Sequence, residues 1–123
     1  MLLFIYYSNF LVLTGERYWK LTEDGIAAGY PRLIAKSWPG LPSNIDAAFT
    51  YRNGKTYFFK GSQYWRYIGK KMDGVYPKQI SDGFTGIPDN IDAAVVWSGN
   101  GKIYFFKGEW TVGIQENQSD ICN

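Results

Sequence analysis

The sequence predicts an all-β protein, an incomplete β-propeller of about two and a half blades. Three observations predict it. Aromatic residues are abundant, with 8 Phe, 5 Trp and 10 Tyr among 123 residues, and such side chains favour pleated, half-buried surfaces. Asn53-Gly54 and Asn100-Gly101 sit between short apolar runs, a strong hairpin signal. Long stretches of the chain recur at a spacing of 46 or 47 residues, as expected of repeated β-meanders.

The recurrence is dense. Asn44-Ile45-Asp46-Ala47-Ala48 returns as Asn90-Ile91-Asp92-Ala93-Ala94. Lys55-Thr56-Tyr57-Phe58-Phe59-Lys60-Gly61 returns as Lys102-Ile103-Tyr104-Phe105-Phe106-Lys107-Gly108, with one extra residue in the preceding turn. Tyr18-Trp19-Lys20 matches Tyr64-Trp65-Arg66, Tyr30-Pro31-Arg32 matches Tyr76-Pro77-Lys78, and Gly40-Leu41-Pro42 matches Gly86-Ile87-Pro88.

The elements follow in chain order. Met1 to Leu13 is apolar but too short and too interrupted to span a bilayer. It lacks the basic region and small-residue cleavage site of a convincing signal peptide. In register with the later repeats it reads as the first hairpin of a damaged first blade; a signal peptide and a non-native start are the alternatives. Ala47 to Tyr51, Thr56 to Lys60 and Gln63 to Tyr67 read as three strands of a meander. The Asn53-Gly54 turn between the first two is expected to be type I′. Tyr76 to Phe84 carries Pro77 and reads as an outer strand or a short helix. The units divide the chain into 1–42, a partial first blade with 1–14 divergent; 43–88, a complete repeat; 89–108, a partial third repeat; and 109–123, a polar tail expected to be disordered.

Packing follows from composition. A single blade cannot bury both faces, so blades stack around an axis. The small residues Ala47-Ala48 and Ala93-Ala94 mark the crowded innermost strands, and Phe58, Phe59, Tyr64 and Trp65 fill the wider space between blades. Tyr18, Trp19, Tyr64 and Trp65 are therefore expected to pack blades rather than form a ligand platform.

Composition also removes chemistries. There is no His, so this polypeptide has no His-based triad and no His ligand for zinc or haem. The single cysteine, Cys122, cannot make an intrachain disulfide. A net charge of +2 is too mild to argue for nucleic acid. Lys20, Arg66, Lys70, Lys71 and Lys78 read as a solvated face rather than a polyanion site. No spacing of carboxylates suggests glycoside hydrolysis. Asn117-Gln118-Ser119 is a glycosylation sequon that matters only in a secreted chain.

The pattern of Asn-Ile-Asp-Ala-Ala-Phe at 44–49, Gly54 to Gly61, Tyr64 to Tyr67, Tyr76-Pro77-Lys78 and Gly86-Ile87-Pro88 resembles the hemopexin-like repeat. It is most similar to the C-terminal hemopexin-like domain of matrix metalloproteinases, and next to the repeats of vitronectin. The resemblance covers residues 15 to 108 and implies an incomplete four-bladed propeller. A non-catalytic module is implied, docking extracellular matrix proteins or metalloproteinase inhibitors. Further implications are an extracellular location and a calcium ion in the central channel, held by the backbone carbonyls of Asp46, Ala48, Asp92 and Ala94. Calcium takes six to eight oxygens, so water would complete the shell; the alternative is that each Asp simply satisfies nearby amides. The alternative functions are a fragment of an extracellular zinc metalloendopeptidase and a vitronectin-like adhesive protein. With no His, this chain is expected not to be an enzyme and to carry neither zinc nor haem. The family's usual disulfide has no counterpart, because Cys122 matches neither position. An open ring exposes blade edges and faces, so homodimerisation or marginal stability is expected.

Overall fold

The computed structural model describes residues 1–114. Residues 115–123, with the Asn117 sequon, Cys122 and the disorder expected of this segment, lie outside the described residues.

Three antiparallel sheets follow one another, one per repeat. The first orders β1 (Leu2–Tyr6), β2 (Asn9–Thr14), β3 (Arg17–Thr22) and β4 (Gly25–Ile26), with β5 (Arg32–Leu33) also on β3. One helical turn, α1 (Ile34–Ser37), leads out of it. The second holds β6 (Ala47–Thr50), β7 (Lys55–Lys60) and β8 (Gln63–Ile68). β9 (Lys71–Met72) and β10 (Lys78–Gln79) both pair with β8, and α2 (Ile80–Gly83) follows. The third holds β11 (Ala93–Val96), β12 (Ile103–Lys107) and β13 (Trp110–Ile114). The propeller is all-β apart from these turns and is not closed. Residues 76–84, read as a strand or a short helix, contain both.

Two sequence expectations need correction. The third unit does not stop at Gly108, because Trp110–Ile114 pairs along β12 from Lys107↔Trp110 to Ile103↔Ile114. The Tyr-Trp-Arg pattern that marks this strand elsewhere is absent, yet ladder pairing is a main-chain property that tolerates other side chains. The second correction concerns turns. At Asn53-Gly54 only Gly54 has positive φ, and Gly54 N–H donates to Tyr51 O at 3.0 Å. That is a type I turn closed by a left-handed glycine, not type I′. Asn53 Oδ1 accepts from Lys55 N–H at 3.0 Å, and Asn53 Nδ2 donates to Tyr57 Oη. Asn100 repeats this, accepting from Lys102 N–H at 2.9 Å and donating to Tyr104 Oη. The extra residue is absorbed on the other side, where Gly101 N–H reaches back to Trp97 O.

The turn with two positive φ values lies instead in residues 1–14. Leu2 to Tyr6 pairs with Asn9 to Leu13, and the linking Tyr7 and Ser8 have φ of 46° and 70°. Left-handed backbone is unfavourable for such residues, and Tyr7 gains compensation across the blade boundary. Its hydroxyl donates to Gly54 O and accepts from Gly69 N–H at 3.2 Å.

The core lies between blades and repeats itself. Phe58 of β7 meets Phe4 of β1 at 5.9 Å and Trp38, just after α1, at 5.4 Å, both edge-on. One blade further, Phe105 of β12 meets Phe49 of β6 at 6.0 Å and Phe84, just after α2, at 5.9 Å. The second and third blades thus each drive one aromatic knob between the inner strand and the helical turn of the blade before. Edge-to-face rings add to the area that they bury. Backbone joints repeat too: Asn44 N–H donates to Gly15 O, and Asn90 N–H to Gly61 O, both at 2.9 Å.

Candidate functional site

The inner strands β1, β6 and β11 line a cleft of about 760 Å³ along the propeller axis. Leu3, Phe4 and Ile5 come from β1, Ala48, Phe49 and Thr50 from β6, and Ala93 to Val96 from β11. Small residues on β6 and β11 let these strands approach closely, as the alanine pairs predict. β1 differs: by ladder register, Leu2 and Leu3 stand where β6 has Ala47 and Ala48. The cleft is consequently apolar on that side.

The predicted calcium residues divide. Ala48 and Ala94 lie on the cleft wall. Asp46 and Asp92 precede their strands and are tied into the fold. The Asp46 carboxylate accepts from Gly61 N–H at 2.8 Å, and the Asp92 carboxylate from Gly108 N–H at 2.7 Å. Their own N–H groups donate to Phe59 O and Phe106 O. The side chains thus hold the turns between the second and third strands of the second and third blades. This leaves main-chain oxygens as the available cation donors. Among the described residues no three His, Cys, Asp or Glu side chains gather. β6 and β11 each have one hydrogen-bonded neighbour, so alternate carbonyls point away from the sheet, as on any edge strand. A cation at the axis would have such carbonyls from two strands, beside a third, leucine-bearing one.

The cleft opens between two uncovered sheet faces. Cross-strand register puts Leu3, Val12 and Trp19 in one row and Ile5, Phe10 and Leu21 in the next. Leu3, Ile5 and Phe10 are each about half exposed. On the third blade, Val95 pairs with Tyr104 and Ala93 with Phe106, and Val95 is 43% exposed. Val95 occupies the register position of Phe49, the residue that receives the next blade's knob. Both faces therefore have the form of a blade interface without the next blade.

The remaining candidates have structural employment. Tyr18, Tyr64 and Trp65 are buried, as blade packing requires, whereas Trp19 is half-buried in the open-face row beside Val12. The basic residues do not form one patch. Arg66 Nε and Lys55 Nζ lie 2.9 and 3.1 Å from Asp73 Oδ2, Lys78 sits 4.7 Å from the Tyr76 ring, and Lys70 is drawn onto Trp38. Partial burial pushes the Asp73 carboxyl up, but its Lys55 and Arg66 partners together outweigh this and hold it below the ordinary 3.8. Sequence reasoning missed the roles of Lys70 and Tyr7, both of which depend on contacts made across a blade boundary. Among the described residues, no helix is long and apolar enough to cross a membrane.

Known proteins share this arrangement. The hemopexin family profile matches residues 8–43 and 45–89. The chain is 46% identical over 48 residues to matrix metalloproteinase-18 of Xenopus laevis, covering 37% of this chain and 10% of that protein. It is 48% identical over 56 residues to human vitronectin, covering 44% of this chain and 12% of that protein. The chain thus spans about a tenth of the curated relatives it matches. Among solved structures, a 2S albumin seed protein from Dolichos superposes with a TM-score of 0.76 at 26% identity, covering 92% of this chain and 59% of that one. A plant lectin from Cicer arietinum reaches 0.77 at 20% identity, covering 99% and 63%; at that identity the likeness is one of fold. With its three successive meanders and the profile matched over most of two of them, the chain belongs to the hemopexin family.

Proposed function

We propose that the chain is a non-catalytic docking module that works outside the cell. Its partners are extracellular matrix proteins or metalloproteinase inhibitors, and it pairs with a second copy through its open blade faces. The observation that carries this reading is the pair of uncovered apolar faces flanking the axial cleft, Leu3, Ile5 and Phe10 on one side and Val95 on the other. Contiguous exposed apolar surface of this kind marks interaction sites. Similarity to matrix metalloproteinases and vitronectin supports the choice of partners. The lack of His supports a docking role over hydrolysis, since a zinc-protease motif needs two.

Calcium belongs to the same proposal. The carbonyls of Asp46, Ala48, Asp92 and Ala94 supply part of its shell and water the rest. The test is light scattering on the full chain with and without millimolar calcium, followed by binding to immobilised fibrillar collagen and to a metalloproteinase inhibitor. The expected result is a particle of twice 14.1 kDa, tightened by calcium, that binds one of the two surfaces. A monomer indifferent to calcium that binds neither overturns the reading.

A further inference from the structure

Lys70 makes an unusual contact for a surface lysine. It lies in the turn between β8 and β9, and its ammonium reaches back onto the first blade. Its Nζ stands 3.7 Å from the Trp38 ring centroid, 5.1 Å from that of Tyr6 and 5.2 Å from that of Tyr18. The rings are set for this: Trp38 meets Tyr6 at 5.5 Å and 88°, and Tyr18 at 4.7 Å and 54°. Three π faces therefore surround one point, and Trp is the strongest aromatic partner for a cation.

The way this cation is held matters. Its polar contact is one long hydrogen bond to Tyr18 Oη at 3.4 Å. Among the described residues no carboxylate pairs with it; the nearby charge that acts on it is another cation, Arg32. Burial, with a smaller contribution from Arg32, pushes its ammonium below its ordinary pKa. A lysine so placed sacrifices hydration without gaining an ion pair. A cation that carries no N–H group, and whose charge is permanent, is more weakly hydrated and has no donor to leave unpaired, so it loses less by the exchange.

We propose that Tyr6, Tyr18 and Trp38 form a cage for a small quaternary ammonium group of the choline type, closed in the free protein by Lys70. Lys70 acts as a tethered competitor. The residue is itself exposed and stands in a turn beside Gly69, so its side chain can swing into water without breaking a strand. Trp38 is fully buried beneath it. None of the cage's three rings lines the axial cleft, although Tyr6 packs edge-on against Tyr7 and Phe4, which do.

The test uses tetramethylammonium and choline as probes on the full chain, with sodium chloride at equal ionic strength as the control. Tryptophan fluorescence and NMR are the readouts. Lys70→Ala is expected to bind both probes at least tenfold more tightly than the wild type. In the wild type, the Lys70 side-chain methylene signals, shifted by the three rings, are expected to move to solvent-exposed positions as the probe saturates. Tyr6→Leu in the Lys70→Ala background should abolish the gain. The proposal is overturned if folded Lys70→Ala responds to the probes no more than to sodium. It is equally overturned if the wild-type Lys70 signals stay in place at saturating probe, which makes Lys70 a fixed inter-blade clamp.

Discussion

The strands β6 and β11 each follow an Asp and open on the same Ala-Ala pair, yet they live differently. Ala47 and Ala48 have no exposed surface and Phe49 is 3% exposed, whereas Ala93 and Ala94 are half-buried and Val95 is 43% exposed. The difference is the neighbour, not the strand. β6 has a blade on each side, and β11 has one. Burial here is conferred by the interface with the next repeat, as in other repeat architectures where stability is a sum of unit and interface terms. The middle blade is the only described one with both interfaces made.

The largest test of that contrast compares equivalent knobs. Phe58 fills the first interface and is fully buried, while Val12, its counterpart in the first blade, is half-buried on an open face. Phe58→Ala should cost about 3–5 kcal/mol and Val12→Ala about 1 kcal/mol or less, read from urea unfolding. Equal costs would mean that the blades do not support one another.

A smaller effect is expected where the repeats differ by one side chain. Tyr18 Oη shares a 2.5 Å hydrogen bond with Ser37 Oγ. The matching Tyr64 packs on Gly83, where an added Cβ would collide with its hydroxyl. Gly83→Ala should destabilise by about 1–3 kcal/mol through overpacking of a buried ring. Thermal unfolding unchanged by this substitution would show that Tyr64 can shift to make room for the added carbon.

The smallest effect concerns charge. The middle blade joins Lys55 and Arg66 to Asp73, where the first blade has Asn9, Lys20 and Ala27. Because the Asp73 carboxyl is held below its ordinary value, its contribution is present above about pH 4 and is lost as pH falls through the folded-state value. Asp73→Asn should cost roughly 0.5–1 kcal/mol at pH 7, given the partial exposure of the three side chains. The difference from wild type should vanish near pH 2. A difference that persists in acid would assign the loss to packing.

Much of the fold was legible in the sequence because it repeats. Two copies of Asp-Ala-Ala and Phe-Phe-Lys-Gly are enough to locate the inner and second strands and their register. The third strand of the last blade was not legible, since Trp110 to Ile114 pairs through main-chain groups that leave no side-chain signature. Tyr7-Ser8 also escaped notice: neither residue advertises a left-handed turn, and the contacts that compensate for it come from the second blade. The sequence named Asp46 and Asp92 as carbonyl donors to a cation or as residues that satisfy nearby amides; the structure shows their carboxylates accepting from Gly61 and Gly108 N–H, a contact that engages the side chains and not the carbonyls. The aromatic cage could not be read at all, because Lys70 and Trp38 are brought together only by the stacking of two blades.

The Asn53 and Asn100 turns carry a consequence for engineering. Each asparagine fixes the start of the following strand from one side, and the loops still differ in length by a residue without disturbing the ladder. Length is thereby insulated from register. A peptide epitope grafted between Ser98 and Gly99 should be displayed at the rim, with Asn100 keeping β12 in phase with β11 whatever the size of the insert.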